Sequence, residues 1–422
     1  MPGHKGKAYT GPEKYDITEV SGADVLYSAD GIIKESEDIA SELFSASTFY
    51  STEGSTLAIK AMLKLATDGK RRNGRPLILA GRNAHRSFIS AVALLDLDVS
   101  WIYPDSISHI ASLRLTQDCV KDAIEGEGRE IAAVYVTSPD YLGGISDVRG
   151  IAEVCHTHGI PLLVDNAHGA YLAFLENSLH PIALGADMCC DSAHKTLPAL
   201  TGAAYLHIAK RNAEYIERAE GALSLFASTS PSYLILRSLD KCNEYLSGKY
   251  RDDLREYTLR VDDLKRALRS SGVAIIDTEP LKITVSAKDM GYTGTEISDF
   301  LRENGCECEF SDGDYTVMMI TPDNGREDLE KIYTALSSLE KREPISKLEI
   351  SISKAPRAMS IRDAALSLSE KVKVAEAEGR ICAVGSVACP PAIPIVIAGE
   401  VIGPEEINAL SYYGITEIDV IK

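Results

Sequence analysis

Four short segments of this 422-residue sequence carry side chains that could do chemistry, and each follows or closes a stretch that reads as a β-strand. The first is Ser51-Thr52-Glu53-Gly54-Ser55-Thr56. A glycine followed by two hydroxyl residues at a helix start offers N–H groups, hydroxyls and the positive end of the helix dipole, which suits a phosphate. Ordinary N-capping by Ser55 or Thr56 explains the same residues. The second segment, Arg82-Asn83-Ala84-His85-Arg86-Ser87, puts His85 at a strand-to-helix turn, where its ring could stack on a planar cofactor or cap the helix. The third, Val164-Asp165-Asn166-Ala167-His168-Gly169, closes a hydrophobic strand with an acid, which either faces a cleft or caps the next turn. Small Ala167 would let a flat ring approach the backbone, with His168 beside it. The fourth, Asp191-Ser192-Ala193-His194-Lys195-Thr196, brings a lysine after the apolar run Ala186 to Cys190, and a surface loop lysine is the commonest alternative.

Each segment alone has a plain structural explanation; the set does not. Phosphate donors, a stacking histidine, a strand-end acid and a downstream lysine are the parts that pyridoxal 5′-phosphate requires. Asp165 and Lys195 are 30 residues apart, enough for two adjacent strands of one sheet.

The elements that must position these groups are legible in the hydrophobic pattern. Short apolar strands (76–80, 99–103, 131–136, 161–164, 203–208) alternate with helices (56–66, 85–95, 147–158). Strands apolar throughout and separated by helices predict an α/β fold with a mainly parallel sheet covered on both faces, and open sheets of this kind bind ligands at the strand ends. We divide the chain into an N-terminal arm (1–34), a large cofactor-binding domain (35–240), a smaller α+β domain (241–345) and a C-terminal section (346–422). Within these, 232–271 is predicted helical with a break near Gly248. Strands are expected near 273–277, 281–286 and 315–320, and helices near 295–304, 325–341 and 360–377.

Bulk composition excludes several classes. A net charge of −18 argues against nucleic acid, which needs clustered Lys and Arg. No apolar run approaches the length of a membrane span. Nine cysteines lack any C-x-x-C pair, so no metal is expected, and an odd count without a signal peptide fits reduced thiols in the cytoplasm. His156 and His158 lack companions at metal spacing, Lys70-Arg71-Arg72 with Arg75 reads as a solvated turn, and Trp101 as core.

The order of motifs along nearly the whole chain resembles the Orn/Lys/Arg decarboxylases of the aspartate-aminotransferase fold type (fold type I of the PLP-dependent transferases). Pro2-Gly3-His4-Lys5-Gly6 is similar to that family's PGHK-x-G. Ile32 to Ser45 is similar to its stretch before the phosphate loop, Ser192-Ala193-His194-Lys195 to its S-x-H-K, and Ser228-Thr229-Ser230-Pro231 to its (S/T)TSP. Gly379-Arg380-Ile381, Pro390-Pro391 and Ile393-Pro394 follow its GRI…PPGIP pattern. The resemblance implies that Lys195 holds pyridoxal phosphate as a Schiff base. Gly54, Ser55, Thr56, Ser192 and His194 would surround the phosphate, with Thr229 reaching it from the partner subunit of a homodimer or larger assembly. Asp165 would pair with the ring nitrogen, His85 stack on one face and Ala167 pack on the other. Lys195 or His168 would return the proton after CO₂ leaves.

Three departures stand out. Met1 sits directly on the PGHK segment, so the natural chain is expected to start earlier. The pattern GRI-x-A-E becomes Gly379-Arg380-Ile381-Cys382-Ala383-Val384, and YPPG becomes Cys389-Pro390-Pro391-Ala392. A cationic substrate end buried against Val384 would need another acid. The expected activity is decarboxylation of arginine or lysine, ahead of ornithine. The alternatives are a transaminase, a lyase or a decarboxylase of a non-basic amino acid, and a catalytically silent paralogue.

Overall fold

A computed structural model describes residues 2–70, 74–103, 109–347, 354–384 and 392–422. Met1, Arg71, Arg72, Cys389, Pro390 and Pro391, singled out above, lie outside the described residues. The chain forms two compact units, one comprising Met1–Leu79, Thr116–Ser138 and Asp147–Leu254, the other Ala80–Leu115, Pro139–Ser146 and Arg255–Lys422.

The first unit opens with an arm that has only a short 3-10 turn at Pro12–Tyr15, then α1 (Ile32–Leu43), β1 (Ser47–Ser51) and α2 (Gly54–Thr67). β2 (Leu77–Gly81) runs from the first unit into the second, which continues with α3 (Arg86–Leu95) and β3 (Asp98–Ile102). Back in the first unit come α4 (Gln117–Gly126), β4 (Ile131–Thr137), α5 (Val148–Thr157), β5 (Leu162–Asp165), β6 (Met188–Asp191) and β7 (Ala204–Ile208). Its strands stand in the order β1-β7-β6-β5-β4-β2, and in the second unit β3 follows β2. Every residue of β5, β6 and β7 is buried, as a sheet covered on both faces requires.

β4, β5 and β6 pair in parallel, as the pattern predicts, whereas β7 runs antiparallel to both β6 and β1. An apolar strand looks the same in either direction; the connection decides. Residues 192–203 contain only the four-residue helix Ala193–Thr196, too little for a crossover, so the chain turns straight back.

The long helical stretch divides as expected, into Tyr233–Ser247 and Tyr250–Ser270 on either side of Gly248. In the second unit β8 (Lys282–Ser286), β9 (Phe310–Ser311) and β10 (Tyr315–Met319) form an antiparallel sheet in the order β8-β10-β9. The expected strand at 273–277 reduces to a single bridge, Ile275 to Val285. The expected helix at 360–377 is only Ile361–Leu366; its continuation is β11 (Ser369–Lys373), paired with β12 (Glu417–Ile421). Ser369 to Lys373 is almost wholly exposed, so its sequence lacks the buried alternation that marks a strand. Residues 393–420 of the C-terminal section, among them Ile395, Val396, Ile402, Leu410 and Ile418, share one apolar core with Phe310 and Val317.

Candidate active site

In the first unit, parallel pairing sets Asp165 against Thr137 of β4 on one side and Cys190 of β6 on the other. The acid thus closes its strand at the carboxyl end of the sheet, 3% exposed. Tyr135 Oη donates to its Oδ2 at 3.1 Å, while the Ala167 amide donates to Oδ1 at 3.2 Å and the Cys190 thiol at 3.6 Å. Burial, reinforced by the charge of Asp165, pushes the Tyr135 phenol and the Cys190 thiol far above their usual ranges, so both remain donors. Of the two readings of Asp165 the turn-capping one is realised through Ala167, and each carboxylate oxygen still has capacity for a further donor.

β6 leads directly into the lysine segment. Ser192 precedes the short helix Ala193–Thr196, and the Lys195 amide bonds the Ser192 carbonyl at 3.0 Å. The half-buried Lys195 side chain ends with Nζ 2.8 Å from His168 Nε2. His194 instead donates from Nδ1 to the Ala203 carbonyl at 2.9 Å, a tie to the backbone leading into β7.

The Ser192 hydroxyl donates to Ser55 Oγ at 3.0 Å, joining the lysine segment to the start of α2. Ser55 and Thr56 do not cap that helix. It begins one residue earlier, at Gly54, with Glu53 in the capping position making no side-chain cap bond. Gly54 adopts φ +70° and would have nothing within 4 Å of a Cβ, so the space above the helix start is open. The Gly54 amide is bonded to the Gly202 carbonyl at 2.8 Å, and the rest of the first turn beside the Ser55 and Ser192 hydroxyls is a donor set that fits a phosphate. An amine, a phosphate cradle and a strand-end carboxylate in one unit fit pyridoxal phosphate. Thr229 is exposed, and its neighbour Ser228 donates its amide to Glu53 Oε1 at 2.6 Å.

His85 belongs to the second unit, where it caps α3: its Nδ1 accepts from the Ser87 amide at 3.1 Å and lies 2.9 Å from Ser87 Oγ. The capping alternative is therefore realised, with the ring oriented by Ser87. Val384 is 56% exposed. Trp101 is half-buried against Phe88.

Beneath the first unit's site lies a network that the sequence reading missed. Asp191 is fully buried and accepts from Asn166 Nδ2 at 2.7 Å, His180 Nε2 at 3.1 Å and His207 Nε2 at 3.2 Å. Burial opposes its charge, but the two imidazoles outweigh that and hold the carboxyl far below its usual range. Burial pushes His207 down despite Asp191, so neutral N–H donation is what His207 supplies. Thr48 Oγ1, 2.9 Å from His207 Nδ1, completes that ring's bonding. Nothing in the spacing of His180 and His207 announces this; only the position of Asp191, directly before Ser192, could have. His156, read above as lacking acidic companions, pairs with Asp187 at 3.0 Å. In the second unit His109 similarly meets Asp312 at 2.6 Å.

An open α/β sheet with these groups at its carboxyl edge defines a PLP-dependent enzyme of fold type I. The chain belongs to the Orn/Lys/Arg decarboxylase family: residues 7–284 match "Orn/Lys/Arg decarboxylase, major domain" and 348–418 "Orn/Lys/Arg decarboxylase, C-terminal domain". It is 30% identical to the arginine decarboxylase of Bacillus subtilis, over 97% of this chain and 88% of that protein. Identity to the arginine decarboxylase of Halalkalibacterium halodurans is also 30%, over 95% and 87%. Among solved structures, the constitutive lysine decarboxylase of E. coli superposes with a TM-score of 0.76 at 16% identity, over 100% of this chain and 79% of that one. Lysine decarboxylase A of Pseudomonas aeruginosa gives 0.79 at 18%, over 100% and 78%. Among the described residues no helix is long and apolar enough to cross a membrane.

Proposed function

We propose that this chain is a PLP-dependent decarboxylase of a basic amino acid, arginine ahead of lysine and both ahead of ornithine, releasing the amine and CO₂. The observation that carries the reading is the Lys195–His168 pair at 2.8 Å, one strand from Asp165, in a chain that matches arginine decarboxylases over nearly its full length.

Bound pyridoxal phosphate supplies an electron sink for the pair left when CO₂ departs. Lys195 would hold the cofactor through its amine. Asp165, which accepts from Tyr135, Ala167 and Cys190, would pair with the ring nitrogen. Gly54, Ser55, Thr56, Ser192 and His194 would hold the phosphate, with Thr229 contributed by a second subunit. His85 and Ala167 would be the residues that pack on the cofactor ring. The residues around the ring would select CO₂ loss over transamination by the orientation in which they hold the substrate. Lys195 or His168 would be the group that returns a proton to the substrate.

In this reading the protein is a cytoplasmic homodimer or larger assembly. Its large domain spans 35–240, its smaller α+β domain 241–345 and its C-terminal section 346–422. Val384, where the family pattern has Glu, is the feature favouring a different amino-acid substrate or reaction.

The test is the visible spectrum of purified protein supplied with pyridoxal phosphate, before and after arginine, lysine and ornithine, with CO₂ monitored. A band that shifts with one of them and releases CO₂ supports the proposal and names the substrate. A band indifferent to all three overturns the substrate class, and no band at all overturns the cofactor assignment.

A further inference from the structure

His85 sits on a loop held from both sides by a distant stretch of the chain. On one side, the buried guanidinium of Arg82, 2% exposed, donates from Nη1 to the Pro394 carbonyl and from Nη2 to the Ile395 carbonyl, both at 2.7 Å. On the other, the Arg86 amide bonds the Ala392 carbonyl at 2.9 Å. Three backbone carbonyls within 392–395 thus pin the residues flanking His85. Arg82 also faces the Trp101 ring, 5.5 Å from its centroid, and stands 3.9 Å from Glu400 Oε2. Glu400 Oε2 in turn accepts from the Ile397 amide at 2.8 Å.

A buried guanidinium is an expensive way to join two loops. Among the described residues its nearest carboxylate, Glu400, is beyond hydrogen-bonding distance, and an apolar side chain of similar volume often serves stability as well or better. What an apolar side chain lacks is the planar fork that fixes one geometry against two successive carbonyls. We propose that Arg82 is a positioning residue that sets the placement of His85, and that the C-terminal section acts on the reaction through this tie. The inference rests on the reading of His85 as the residue that stacks on the cofactor ring.

Four variants of the full-length enzyme loaded with pyridoxal phosphate test it: His85→Ala, Arg82→Met, Arg82→Lys and the double variant Arg82→Met/His85→Ala. The readouts are the rate of cofactor release, the circular dichroism of the visible band, and kcat and KM separately. Arg82→Met should speed cofactor release, weaken the dichroic band and lower kcat, by up to the order of 10²-fold for a misplaced group, with KM little changed. Arg82→Lys, which keeps the charge but loses the fork, should fall between Arg82→Met and wild type. If Arg82 acts through His85, the double variant releases cofactor no faster than the worse single variant. Full multiplication of the two effects overturns the proposal. Should Arg82→Met fail to fold, Arg82→Lys decides: wild-type release and dichroism would overturn the positioning role. If His85→Ala alone leaves release and band unchanged, the stacking assignment itself fails, a result distinct from failure of the tie.

Discussion

Lys195 Nζ and His168 Nε2 lie 2.8 Å apart, although one belongs to the turn after β6 and the other to the turn after β5. An amine and an imidazole at hydrogen-bonding distance are placed so that a proton can pass between them. His168→Gln keeps a polar side chain there but cannot act as acid or base. It should lower kcat by roughly 10²–10⁴-fold if His168 handles the proton, with KM nearly unchanged and the visible band retained. A kcat within a few-fold of wild type would assign the proton to Lys195 alone.

Lys195→Ala should abolish turnover and leave the unfolding transition close to wild type, because the half-buried side chain is no part of the core. The cofactor should then be lost on gel filtration. Measurable turnover by this variant would remove Lys195 from the mechanism.

Asp165→Asn should keep the fold and bind cofactor while losing most activity, since the amide cannot hold the ring nitrogen's proton. Tyr135→Phe is a milder probe of the same acid. It deletes one donor, at 3.1 Å, and should cost about 1 kcal/mol of stability. The pH at which the cofactor band titrates should also shift. Identical band titration in Tyr135→Phe and wild type would show that the phenol does not influence the ring.

How much of this was legible beforehand depended on whether the signal was local. β2 through β7 could be read because each is a short, largely apolar run bounded by turn residues. Lys195, Asp165 and His85 could be read because they end such runs. Tyr135 could not, since a lone hydroxyl in Ile131 to Val136 is indistinguishable from a core aromatic until pairing sets β4 against Asp165. His180 and His207 meet on Asp191 only through the turn back into β7 and the loop before Pro181, and neither partner is fixed by spacing. β11 was missed for the opposite reason: it is exposed, so burial left no period of two in its sequence. The tie of Arg82 to residues 394–395 spans more than 300 positions, and no local pattern encodes it.

Asp191→Asn should be more damaging to stability than any change at Lys195. It would keep the shape but remove the charge that two histidines and Asn166 serve. Breaking such a buried cluster costs on the order of 3 kcal/mol. Because the folded carboxyl is held below its ordinary value, its contribution is present above the unfolded value near 4 and is lost as pH falls. Urea unfolding at neutral pH and at about pH 3 checks both points. The wild type should lose stability on acidification, and the gap to Asp191→Asn should narrow. An equal gap at both pH values would mean that the charge contributes nothing.

Glu37 makes the opposite pH prediction. It is buried on α1, its Oε1 accepts the Tyr50 amide at 2.8 Å, and burial pushes its carboxyl from 4.5 up to about 8. In the unfolded chain the proton leaves above about 4.5, whereas the folded protein keeps it, so this residue penalises folding increasingly as pH rises from 4.5 to 8. Glu37→Gln mimics the protonated form and still accepts from Tyr50. It should leave stability near pH 4.5 unchanged and raise it by a few kcal/mol, on the order of 3, at pH 8. Chemical unfolding of both proteins across that range reads the difference directly. A parallel pair of stability curves would show that Glu37 is already ionised in the folded protein, and that water or a neighbouring cation reaches it.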